Sequence, residues 1–210
     1  MTLHTWWLFA VTVFLLSGTP GPNMLHALSR SVHVGLRRSL AAMGGCLTAL
    51  FLALVVSAAG VGTLLAAEPR LFDVIRYAGA AYLIYLGIKA WRAPVHDAPA
   101  ATGETLATPG LSLRQLYRGG FLIGISNPKL LLFAAAFFPQ FINRHAPSAP
   151  QFVILIATFM ISEMFWLLTY GIGGQGVARV ISGPGMKRLF NRVTGTIFMG
   201  FGGLLLRLRA

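Results

Sequence analysis

Ser17-Gly18-Thr19-Pro20-Gly21-Pro22-Asn23 interrupts an apolar run that begins near Trp6, and Ser126-Asn127-Pro128-Lys129 interrupts a second one. Proline and glycine inside a membrane helix free backbone groups that lipid cannot satisfy. Such breaks are tolerated only where they are buried in protein or line a cavity. A pair of them, one in each half of a chain, points to the binding site of a transporter.

The rest of the composition agrees with a membrane setting. The chain has 210 residues, 56% apolar and only 10% charged, against roughly 25% charged in soluble domains. Residues 40–67 form a run of 28 without a charge, longer than the roughly 20 that cross a bilayer. The net charge of +12 does not read as nucleic-acid binding, because the basic residues lie between apolar runs rather than on one polar face. It reads as the positive-inside bias of an inner-membrane protein. One cysteine, Cys46, excludes an intramolecular disulfide and any all-cysteine metal site. Residues 1–5 lack the positive region of a cleavable signal, so the N-terminus reads as a retained first membrane segment.

The pattern predicts an all-α membrane protein with six transmembrane segments. The first covers residues 6–16 and continues past the break as 23–31. The second is 40–67, stopped by Glu68-Pro69, and the third is 71–91. The fourth is 117–126, then 128–138 after the break. The fifth is 151–174 and the sixth 191–206. Residues 93–112, rich in Ala, Pro, Thr and Gly, have the composition of a linker. They separate a first three-helix repeat (1–92) from a second (113–210).

Of the lysines and arginines, 11 fall on one side of this arrangement and 5 on the other, with Lys129 inside a segment. The richer side is cytoplasmic, which places both termini in the periplasm and the linker in the cytoplasm. A five-segment arrangement with a re-entrant first or fourth segment is also compatible. The halves repeat. Gly21-Pro22-Asn23-Met24-Leu25 aligns with Asn127-Pro128-Lys129-Leu130-Leu131. Arg76, Gly79, Tyr82 and Gly87 align with Arg192, Gly195, Phe198 and Gly203 at a constant offset of 116. Three segments per half require the repeats to be inverted, with broken helices 1 and 4.

The chemistry is expected at these breaks. Pro22 and Pro128 suit the first turn of the second half-helices, where proline loses no hydrogen bond. The half-helix N-termini carry free N–H groups and partial positive charge. Asn23 and Asn127 can cap or coordinate. Lys129 and Glu163 are charges within apolar segments, where each costs at least about 2.5–3.5 kcal/mol. Either they pair with each other, with Lys129 also able to snorkel to the interface, or they hold the two ends of a zwitterion. The expected substrate site is then Pro20, Gly21, Pro22, Asn23, Asn127, Pro128, Lys129 and Glu163, with Tyr82. Glu163 and His26 are the candidates for proton coupling. Tyr85 and Tyr170 are further aromatic candidates. Glycines 171, 173, 174 and 176 either permit close helix approach or end segment five. No nucleophile–base pair, paired catalytic carboxylates, phosphate loop or metal-spaced cluster is present, so an enzyme reading has little to rest on, and no cofactor is implied.

Three stretches carry a resemblance: Gly18-Thr19-Pro20-Gly21-Pro22-Asn23-Met24 followed by Ser29 and Gly35; residues 79–87, Gly-Ala-Ala-Tyr-Leu-Ile-Tyr-Leu-Gly; and residues 121–141, with Asn127-Pro128-Lys129 and Phe138-Pro139-Gln140-Phe141. In this order, over nearly the whole chain, they resemble the LysE/RhtB family of bacterial amino-acid exporters. The resemblance implies an inner-membrane exporter of amino acids or related metabolites, driven by proton antiport. It also implies an acidic residue in segment five, commonly aspartate; Glu163 is a longer variant. Expected partners are a small-molecule substrate, protons and membrane lipid, with no nucleic acid. Small residues such as Thr196 and Gly200 leave a homo-oligomer open. The alternative is an ion or metal transporter on the same scaffold, although one membrane carboxylate falls short of the several oxygen ligands that a divalent cation takes.

Overall fold

The computed structural model describes residues 1–67, 69–92, 110–143 and 146–207. Most of the proposed linker, residues 93–109, lies outside them. The described residues contain helices and no strand. In chain order the helices are α1 (Leu3–Gly18), α2 (Pro22–Val34), α3 (Leu36–Ala67), α4 (Pro69–Trp91), α5 (Leu113–Ile125), α6 (Pro128–Leu132), α7 (Ser148–Ser182) and α8 (Pro184–Arg207). Between α6 and α7 the chain passes through a π turn, Phe133–Phe137, and a 3-10 turn, Phe138–Phe141.

Both expected breaks are present. α1 ends at Gly18 and α2 starts with Pro22 in its first turn, after a bend of 51°. α5 ends at Ile125 and α6 starts with Pro128 in its first turn. Each proline occupies the position where its missing N–H would have no intrahelical partner. α5 begins directly after Ser112, whose hydroxyl accepts from the Gln115 N–H while the Gln115 side chain accepts from the Ser112 N–H. This reciprocal pair satisfies two orphan donors of the first turn.

Among the described residues, Leu36–Gly60 of α3 and Ser148–Gly173 of α7 are each long and apolar enough to cross a membrane, and the bent pair α1–α2 is a third candidate. Their outward faces are apolar too, with Val56, Ile161 and Ile172 exposed, as a lipid-facing surface requires. The apolar span of α7 closes at Gly173, within the glycine run after Tyr170, while the helix itself continues to Ser182. Gly171 permits close approach, as one of the two readings of the run expected: it admits the Met43 side chain and offers its carbonyl to the Ser31 hydroxyl at 2.5 Å.

The packing crosses between the halves. α5 lies along α3, α1 and α2 lie along α7, and α4 pairs with α8. Small residues set these contacts. A methyl group on Gly45 would collide with the Tyr117 carbonyl, and one on Gly120 with the Ala42 carbonyl. A methyl group on Gly87 would lie 2.8 Å from the Gly195 carbonyl, and one on Gly195 2.7 Å from that of Gly87. Lipid tails supply no hydrophobic drive between helices, so close backbone approach and dispersion hold them together. Two apolar clusters result. One gathers Phe9, Leu50, Phe133, Phe137, Phe141 and Phe159, with Phe9 and Phe141 edge to face at 4.9 Å. The other gathers Met24, Met43, Cys46, Leu167 and Tyr170.

Candidate functional site

Breaking α1 at Gly18 leaves carbonyls without helical donors, and other elements supply them. Tyr170 of α7 donates to the Gly18 carbonyl at 2.8 Å. Trp166, one turn earlier, donates to the Phe14 carbonyl at 2.8 Å. Lys129, immediately after the second break, donates to the Leu16 carbonyl at 3.0 Å, the Thr19 carbonyl at 3.3 Å and the Thr19 hydroxyl at 3.2 Å. Its ammonium thus sits at the negative end of α1. The two breaks face each other, and Lys129 spans the gap. A methyl group on Gly21 would stand 3.4 Å from its Nζ.

Glu163 enters from α7. Its neighbours Ile161 and Met164 face outward, while Glu163 is buried at 4% exposure. Its Oε1 accepts from Asn23 Nδ2 at 3.3 Å. The carboxylate therefore bonds to the first break and the ammonium ties the second break to the first; Lys129 and Glu163 do not bond to each other. Asn127 turns its Oδ1 to the Lys129 N–H at 3.1 Å, capping α6. At α2 the capping position is Gly21, which has no side chain to offer.

Asn23, Asn127, Lys129 and Glu163 line one cavity with Ser17, Leu16, Leu50, Leu130, Phe133 and Phe159. Its volume is about 10 Å³, enough for on the order of one water. Ser17 Oγ and Asn23 Oδ1 are buried with no hydrogen-bond partner. Buried polar atoms are almost always bonded, so these two, on residues that line the cavity, mark where a ligand's polar groups would go.

The expected residues divide. Asn23, Asn127, Lys129 and Glu163 share the cavity, and Pro20, Gly21, Pro22 and Pro128 shape the two breaks beside it. His26 lies on the buried face of α2, one turn beyond Asn23. Tyr82 is on α4, its ring 6.0 Å from that of Tyr85, and is not among the cavity's lining residues. Tyr170 acts on the α1 backbone instead. Ser17 and Thr19 join the site without having been expected there. Their signal is the sequence of the break itself, where hydroxyls beside freed carbonyls have work to do.

The family model of the LysE type translocator matches residues 14–209. The chain belongs to this family. It is a membrane transporter family, and its members are not enzymes. The chain is 35% identical over 205 residues to the homoserine/homoserine lactone efflux protein of Salmonella typhimurium (strain LT2), covering 98% of this chain and 97% of that protein. It is 31% identical over 207 residues to the leucine efflux protein of Salmonella choleraesuis, covering 98% and 96%. It is 33% identical over 210 residues to an uncharacterized membrane protein of Vibrio cholerae, covering the full length of both. No solved structure matches.

Proposed function

We propose that this LysE-type translocator exports small amino acids with uncharged side chains from the bacterial cytoplasm, by proton antiport and alternating access. The observation that carries the reading is the cavity: one ammonium, one carboxylate and two unpartnered polar atoms, with apolar walls. A zwitterion's carboxylate matches Lys129 and its ammonium matches Glu163. The walls leave no third charge for a charged side chain, in keeping with relatives named for homoserine and leucine. A divalent metal would want several carboxylate or carbonyl oxygens. Among the described residues, Glu163 belongs to no group of three His, Cys, Asp or Glu side chains able to hold one.

The mechanism follows from what Lys129 holds. A substrate carboxylate competes with the Leu16 and Thr19 carbonyls for its ammonium, which loosens the tie between the two breaks. The halves, 1–92 and 113–210, then rock as inverted repeats of a six-segment architecture with periplasmic termini. The crossed packing of α5 on α3 and of α1–α2 on α7 supports that reading. Glu163 carries the coupling proton, since it exchanges a proton for the substrate ammonium at one site. His26, one turn away, is the second candidate for the relay.

Cells challenged with L-homoserine or leucine-containing dipeptides test the assignment. Wild type should protect them. Lys129→Ala and Glu163→Gln should each lose about tenfold or more in export, the scale of removing one partner of a buried charge contact. In proteoliposomes, Glu163→Gln should lose proton-driven net efflux while retaining some substrate exchange. Wild-type export by both variants at normal membrane levels would overturn the reading.

A further inference from the structure

The basic side chains near the expected cytoplasmic ends differ in what they bond to. Arg38 donates to the Leu111 carbonyl. Arg192 stands 5.9 Å from the centre of the Trp91 ring. Arg30 is buried, at 9% exposure, and its Nε and Nη1 have no partner. His26, four residues earlier, is 6% exposed with Nε2 unpartnered. It faces α5 at Gly119, where a methyl group would lie 4.0 Å from both Cε1 and Nε2. Two guanidinium donors kept from water without acceptors are costly, so a fold that holds Nε and Nη1 of Arg30 in this way leaves them for a ligand.

The placement says which ligand. Asn23, His26 and Arg30 follow one another at spacings of three and four, so they form one stripe on α2. All lie on its buried face, against α3, α5 and α7. The stripe leads from the Asn23–Glu163 contact to the end of α2 where Arg37 and Arg38 follow, about 10 Å along the helix. An arginine with free donors recognises a carboxylate or another oxyanion.

We propose that Arg30, with His26 beside it, forms a second binding site for the substrate carboxylate, distinct from the Lys129–Glu163 cavity and occupied first as substrate arrives from the cytoplasm. The carboxylate is then handed along α2 to Lys129 while the ammonium reaches Glu163. This site rests on the exporter reading above.

The test measures L-homoserine and L-leucine transport by the purified full chain in proteoliposomes, for wild type, Arg30→Gln, Arg30→Lys and His26→Gln. Arg30→Gln should raise the half-saturating concentration on the cytoplasmic face about tenfold, the weight of one charge-assisted hydrogen bond. The maximal rate should stay within about twofold, the pattern of lost binding without a lost transition-state contact. Arg30→Lys should recover most of the affinity, and His26→Gln should shift it less than Arg30→Gln does. Homoserine lactone, which has no free carboxylate, should compete equally with wild type and Arg30→Gln. An unchanged half-saturating concentration in Arg30→Gln would overturn the second site and leave the exporter reading standing. So would a lost maximal rate with unchanged affinity, or a change in lactone competition matching that for homoserine. Failure of wild type to move either amino acid would instead sink the exporter reading, and this site with it.

Discussion

Tyr170 is fully buried, and its hydroxyl completes the Gly18 carbonyl at the end of α1. Replacing it with phenylalanine keeps the ring among Met24, Met43 and Leu167 and strands that carbonyl. Tyr170→Phe should therefore lower stability by about 1–3 kcal/mol, read as a lower unfolding midpoint in detergent. Asn23→Ala removes the side chain that donates to Glu163 and should cost a similar amount. The two differ in their effect on transport. Asn23→Ala alters the cavity wall and should raise the half-saturating substrate concentration. Tyr170→Phe acts behind the wall and should leave that concentration unchanged. Equal effects of both on affinity would show that the α1 terminus and the cavity wall move as one unit.

The contact of α3 with α5 is set by missing methyl groups, and neighbouring glycines there are not equivalent. A methyl group on Gly45 or Gly120 meets backbone of the facing helix, which cannot swing aside; on Gly44 it would rest 3.8 Å from the Tyr117 ring, an ordinary contact. Gly45→Ala and Gly120→Ala should each destabilise by about 1–3 kcal/mol or more, and Gly44→Ala should fold like wild type, checked by purified yield and thermal unfolding. The breaks between elements were legible in the sequence because a proline in an apolar run removes a helix hydrogen bond that lipid cannot replace. The helical extension of α7 beyond its apolar span, from Gly173 to Ser182, was not, because glycine in a membrane helix serves packing as readily as termination. The π turn at Phe133–Phe137 was also hidden. It depends on tertiary partners such as Ser57 of α3, whose hydroxyl donates to the Ala134 carbonyl, and periodicity cannot show such partners.

Across the whole molecule, Trp166 reports on the first break. It bonds to the Phe14 carbonyl, and a methyl group on Gly18 would lie 2.7 Å from its ring. The chain has four tryptophans. A variant keeping only Trp166 should change emission when L-leucine or L-homoserine is added, if substrate loosens the tie between the breaks; Lys129→Ala in that background should abolish the change. That Asn23, Asn127, Lys129 and Glu163 would gather in one place, as they do around the cavity, was legible because charge and amide groups are costly in lipid. Ser17 and Thr19 were harder to see, because hydroxyls in membrane helices usually bond to their own backbone, as the Thr19 hydroxyl does to the Leu16 carbonyl at 2.6 Å. Tyr82, singled out by its place in an aromatic run, does not line this cavity; aromatic side chains also serve helix contacts and membrane interfaces. The cavity's small size has a consequence for loading: with room for on the order of one water, it would admit an amino acid only after its walls part, so each turnover would begin with movement of the helices rather than with diffusion into an open pore.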